Sequence, residues 1–129
     1  MIRIDIISDV VCPWCVIGFK QLEAALLQEG CAADIHWQPF ELNPDISSDG
    51  EDLREHLVRK YGMSADDAKA SEQRIAEVGQ PLGFPFRFYD GMRIVNTFNA
   101  HQLIHWAALH NRQHELKLTL FHCHFNRMR

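Results

Sequence analysis

Apolar and charged residues alternate at the amino end of the chain. Ile2, Ile4 and Ile6 are separated by Arg3 and Asp5, a two-residue period that predicts a β-strand. Ser8 and Asp9 then open a turn. Past Cys12 the period lengthens. Cys15, Phe19, Leu22 and Leu26 fall four, three and four residues apart, which places them on one face of a helix, with Gly30 as its stop. Alternation returns in "ADIHWQPF", with Ile35 and Trp37 on one side and Pro39 ending the pairing. Strand, helix and strand in this order favour two parallel strands joined by a right-handed crossover.

The rest of the chain reads as helical. "NPDISSDG" gathers turn-forming residues into a loop. "EDLREHLVRKYG" predicts a short helix ended by Gly62, and Ser64 with Asp67 resembles a capping box for a helix reaching Val78, closed by Gly79. "GQPLGFPFRFYDG" holds too much glycine and proline for a helix. Asn96 or Thr97 caps the next one, with Leu103, Trp106, Ala107 and His110 along one face, and a last helix spans Gln113 to Phe125. Trp37, Phe98 and Trp106 are expected in the core. The pattern divides the chain into a βαβ unit over 1–45 and a helical region over 46–129.

Composition narrows the class. The chain has 129 residues, 47% hydrophobic and 23% charged, an ordinary globular balance for one domain or one core with an appendage. A net charge of −4 gives no electrostatic reason to expect nucleic acid or an anionic membrane as partner. No segment approaches the roughly 20 apolar residues of a membrane span. "MIRIDII" lacks the apolar run of a secretory signal, so a cytoplasmic location is expected. In that compartment a close Cys-x-x-Cys is more often redox-active or metal-binding than a permanent disulfide.

Cys12, Pro13, Trp14 and Cys15 are therefore the candidate chemistry. A thiol at a helix N-terminus faces unpaired backbone N–H groups and the positive end of the dipole, and both favour the thiolate. Pro13 suits the first helical turn, where its missing donor costs nothing. Cys12 is then the expected attacking thiol, with the lower pKa, and Cys15, one turn on, the resolving one. The competing reading is half a zinc site, which needs two further ligands. The candidates are His122, Cys123 and His124, but neighbours on a helix point about 100° apart and cannot all reach one ion. No metal is expected. Cys31 and Cys123 read as thiols without chemistry, and His101, His105 and His110 as surface or packing residues.

Taken together, "SDVVCPWC" after a first strand, "WQPFELNP", and "NTFNAHQLIHWA" in a helical region resemble the DsbA-like thioredoxin-fold oxidoreductases of the FrnE type. These are related to the 2-hydroxychromene-2-carboxylate isomerases and the kappa-class glutathione transferases. The resemblance implies an α/β fold, with a thioredoxin-like βαβ unit carrying a large all-helical insertion. It implies thiol–disulfide exchange through Cys12 and Cys15, with Pro13 and Trp14 shaping the thiolate or contacting substrate. No cofactor is implied beyond the redox-active pair, with glutathione as a candidate co-substrate and a protein or small-molecule thiol or disulfide as the partner. The related isomerases and transferases carry serine at the first motif position, so Cys12 favours the dithiol branch.

The family pattern continues past its helical insertion with two more strands, a helix, and a cis-proline loop facing the dithiol. This chain has no proline after Pro85 and stops at "FNRMR", about two-thirds of the way through. A two-stranded sheet with an open edge is marginal alone, which leads one to expect self-association, most simply a homodimer. Two other functions stand beside the oxidoreductase: a glutathione-dependent isomerase or transferase, and an impaired fragment that serves only as a binding module.

Overall fold

The two strands of the amino-terminal unit are parallel. In the computed structural model, which describes residues 1–127, β1 (Ile2–Ser8) pairs with β2 (Ala33–Pro39), from Ile2 opposite Ala33 to Ser8 opposite Pro39. The connecting helix α1 (Pro13–Glu29) has limits set by local chemistry. Cys12 holds the N-cap with extended backbone, Pro13 opens the first turn, and Gly30 at φ 64° takes the left-handed position that ends the helix. Val16, Ile17 and Phe19 form its buried face, whereas Leu22 and Leu26 are only half-buried. These three side chains share one cluster with Ile75, Phe84 and Phe121 of the helical region.

That region contains α2 (Leu53–Tyr61), α3 (Ala65–Gly79), α4 (Phe98–Ala108) and α5 (Gln113–Phe125). Asp52 caps α2 by accepting the Glu55 N–H, and Ser64 caps α3 by accepting the Asp67 N–H at 3.0 Å. A two-residue antiparallel ladder, β3 (Glu51–Asp52) against β4 (Arg93–Ile94), ties the start of α2 to the loop before α4. Runs this short leave no periodicity to read, and the sequence pattern did not reveal them. Arg54 ties α2 to α3 and to the loop before β4: it donates twice to Glu72 of α3, at 2.9 Å each, and also to Asp90.

Gly79 does not close α3. Its backbone stays helical, at φ −71°, and the chain turns only at Gly83, at φ 81°, after a 3-10 turn over Gln80–Leu82. The glycine is required by packing instead. A Cβ there would sit 2.5 Å from the Phe86 ring and 2.6 Å from the Phe84 carbonyl oxygen. Gly79→Ala is expected to destabilise the fold by about 1–3 kcal/mol through overpacking, despite alanine's better helix propensity. A thermal melt equal to wild type would show that the Phe84–Phe86 segment yields freely.

The face expected for α4 is also rotated. His101, Ile104 and Ala107 point inward, while Phe98, Leu103 and Trp106 are exposed, Trp106 by 57%. The inward set follows the i, i+3 rule, but it includes a histidine whose burial depends on a partner far away in sequence. Thr97 does not cap α4 with its side chain. Asn96 does, accepting the Phe98 N–H at 2.9 Å and donating to the Ile46 carbonyl at 2.9 Å.

Helix α5 returns to the βαβ unit. The Gln113 side-chain amide accepts the Trp37 N–H and donates to the Trp37 carbonyl, both at 3.0 Å, so it meets β2 as a neighbouring strand would. Trp37 is 2% exposed and packs against Phe19 and Phe121, with ring centroids 5.3 and 5.8 Å away. One core thus runs from Val16 and Trp37 through Ile75 and Phe84 to Phe121 and Phe125. Cys31, by contrast, is exposed in the turn after α1. Among the described residues no helix is long and apolar enough to cross a membrane.

Candidate active site

The turn between β1 and α1 carries the two cysteines. The Cys12 Sγ accepts the Cys15 N–H at 3.3 Å, the N-cap hydrogen bond usually made by serine or aspartate. The helix thus directs a backbone donor and its positive end at this sulfur. Both thiols are free and half-buried. They face different surroundings: Cys12 lines a cavity, while Cys15 packs against the apolar core. Trp14 is 46% exposed, with the Arg74 guanidinium 5.6 Å from its ring centroid, and Pro13 lines the cavity beside Cys12. The structure therefore brings all four motif residues to one place.

The ionisations of the two thiols are linked through a proton that either sulfur can offer to the other. With Cys12 as donor, the Cys15 thiol is held down to about 7 by that bond, against the effect of burial, with further help from the Asp9 backbone and the Lys117 charge. Donating the same bond, and being buried, pushes Cys12 up. The sequence places the lower value on Cys12; with the two ionisations linked, that value belongs to the pair. The first proton leaves the pair as a unit, early, and the second leaves late. Alkylation of the dithiol by iodoacetamide is expected to follow a midpoint near pH 7, below the ordinary thiol value of about 8.5. A midpoint at or above 8.5 would mean that the helix terminus and the neighbouring thiol do not activate the pair.

Three charged or titratable residues beneath the turn were not singled out from the sequence as site residues. Asp9 is 1% exposed. Its carboxylate accepts from the Val10 and Leu42 amides at 2.8 and 2.9 Å and meets His101 Nε2 at 3.1 Å. Burial raises its pKa, but the bonds from His101, Leu42 and Thr97 outweigh that and hold it below the usual carboxylate range. Lys117, also 1% exposed, lies over the Trp37 and Phe121 rings at 5.1 and 5.4 Å. Desolvation lowers its pKa to about 8, against the pull of Asp9, Cys15 and Cys12. A visible signal existed for it: Lys117 shares the i, i+4, i+8 stripe of Phe121 and Phe125, an unusual place for a charge.

The other histidine candidates go elsewhere. His105 and His110 are exposed, His110 against Trp106, while His122 stacks on Phe84. Among the described residues no group of three or more histidine, cysteine or acidic side chains is placed to hold a metal ion.

Comparison with known proteins agrees with this architecture. A crystal structure of a probable DsbA oxidoreductase from Streptomyces coelicolor superposes with a TM-score of 0.89 at 30% identity, covering 100% of this chain and 56% of that one. An uncharacterised Bacillus subtilis protein, YwbO, is 26% identical over 124 residues, which is 96% of this chain and 56% of the relative. The chain thus spans a little over half the length of these relatives. Residues 3–129 match the DSBA-like thioredoxin domain, and the chain belongs to that family.

Proposed function

We propose that this chain carries a thiol–disulfide exchange centre in which Cys12 attacks and Cys15 resolves. The observation that carries the reading is the environment of the two sulfurs. Cys12 opens to a cavity and accepts a backbone N–H at the helix terminus, while Cys15 stands behind it against the core, near the charge of Lys117. In the reductive direction, the Cys12 thiolate attacks one sulfur of a disulfide. A Cys12–substrate bond forms, the substrate S–S bond breaks, and the first thiol leaves with a proton from solvent. Cys15 then loses its proton and attacks Cys12 Sγ, forming the intramolecular disulfide and expelling the second thiol. Two electrons pass from the dithiol to the substrate. The pair gives up its first proton as a unit, and Cys12 attacks when the remaining proton rests on Cys15. Lys117, whose own pKa desolvation lowers to about 8, stabilises negative charge on Cys15 in the second.

Glutathione-driven reduction of 2-hydroxyethyl disulfide tests this. Wild type is expected to turn over, and Cys12→Ser to fall to the uncatalysed background. A Cys12→Ser protein as active as wild type would refute the assignment. The same assay addresses glutathione as co-substrate, since replacing it with dithiothreitol removes any dependence on glutathione itself.

A further inference from the structure

A cavity of about 250 Å³ opens directly beside Cys12, between the dithiol turn and helices α2 and α3. Its walls are chiefly apolar, from Val11, Leu57, Met63, Ile75, Phe88 and Phe125. Of the polar side chains that reach it, His56, Asn43 and Glu72 are already engaged with other protein groups. His56 meets Glu51 through Nδ1 and Asn43 through Nε2, and both carboxylate oxygens of Glu72 accept from Arg54. Among the described residues, the lining holds no lysine or arginine to pair with the carboxylates of a charged tripeptide. Apolar matter gains there from leaving water.

We propose that this cavity seats the apolar arm of a small disulfide, aryl or alkyl, and presents its sulfur to Cys12. The proposal rests on the exchange reading and narrows its substrate class. The volume suits one benzyl-sized or short alkyl group, which gains by leaving water. The exchange is balanced as described above: the arm in the cavity belongs to the sulfur that bonds to Cys12, and the other half leaves as a thiol.

The first measurement does not need turnover. Alkylation of Cys12 by iodoacetamide, followed on the Cys12 peptide of the full chain, is run with dibenzyl sulfide or with its polar counterpart bis(2-hydroxyethyl) sulfide. Neither thioether can exchange. Dibenzyl sulfide is expected to slow alkylation of Cys12 by about tenfold near saturation, and the polar thioether to leave it unchanged. Leu57→Trp and Met63→Trp, each placing a ring into the cavity from a half-buried wall position, are expected to abolish the protection while iodoacetamide alone still reaches Cys12. If dibenzyl sulfide gives no protection, or if protection survives both tryptophan variants, the proposal is overturned. The second measurement compares dibenzyl disulfide with 2-hydroxyethyl disulfide as oxidants of the reduced chain. Exchange with both, without preference for the benzyl compound, overturns the cavity assignment and leaves the exchange centre standing. Protection by dibenzyl sulfide without exchange on either disulfide supports the cavity as an apolar site and refutes the exchange reading.

Discussion

Cys15→Ser is expected to accumulate a stable mixed disulfide on Cys12, and Cys12→Ser to accumulate none on Cys15. With serine at position 15, the backbone N–H that Cys12 accepts is retained, because it belongs to the main chain. The attacking thiol therefore keeps its helix-terminal donor and its opening to the cavity. What is lost is the group that would displace the bound half-substrate, so the adduct persists. In Cys12→Ser the remaining thiol faces the core, and a substrate sulfur must pass the new hydroxyl at position 12 to reach it. The expected effect is a fall in turnover to background in both variants, with glutathione adducts visible by intact mass in one only. This asymmetry matters because the electrostatics of the pair can be written the other way. Cys15 is the sulfur whose pKa is lowered, to about 7, when Cys12 donates the shared hydrogen bond. If Cys12→Ser were the trapped species and Cys15→Ser were not, that order would be the operative one and the two roles would exchange.

Lys117→Met is expected to stabilise the protein and impair the dithiol. The lysine is buried, and its pKa falls from 10.5 to about 8, mainly through desolvation. A depression of that size corresponds to about 3 kcal/mol against the charged folded state. Below pH 8 both folded and unfolded chains hold the proton, and the cost is present in full. Between about pH 8 and 10.5 the unfolded chain still holds it while the folded chain has released it, so the unfolded state binds more protons and wild-type stability rises with pH. Methionine has no charge to desolvate and fits the space between the Trp37 and Phe121 rings. Chemical denaturation at pH 6.5 is expected to show a gain on the order of 2–3 kcal/mol, shrinking as the pH approaches 10. In the same variant the Cys15 thiol loses a positive neighbour, so the first pKa of the pair moves up. Lower stability at pH 6.5, together with an unchanged alkylation midpoint, would mean that Lys117 is held by its ring contacts alone and has no influence on the sulfurs.

Elements whose cause is local were legible in the sequence. The period of "IRIDI" and "ADIHW", the proline after Cys12 and the glycine at position 30 each act within a few residues, and the βαβ unit followed from them. The pairing of Cys12 with Cys15 at a helix start was legible for the same reason. Other features depend on contacts between distant segments. Gly79 resembled a helix stop, yet what fixes it is the close approach of Phe84 and Phe86. His101 lay on a helix with no partner in view, and its burial depends on Asp9, 92 positions earlier. Trp106 and Phe98 carry core-type side chains but lie on the face that α4 turns outward once His101 is anchored. The candidate site divides along the same line. Its sulfurs were apparent, and the buried carboxylate, imidazole and ammonium that support them were not.

The exchange centre stands or falls on whether Cys12 and Cys15 form a reversible two-electron couple. The direct measurement is a redox titration of the full chain in glutathione buffers of graded ratio, quenched in acid, with free thiols counted on the Cys12–Cys15 peptide by mass. The two thiols are expected to disappear together across a single transition, as an intramolecular disulfide, and to return together on reduction. Cys12→Ser should show no such transition. A wild-type protein in which both thiols persist throughout, or in which only separate glutathione adducts form on each sulfur, would contradict it.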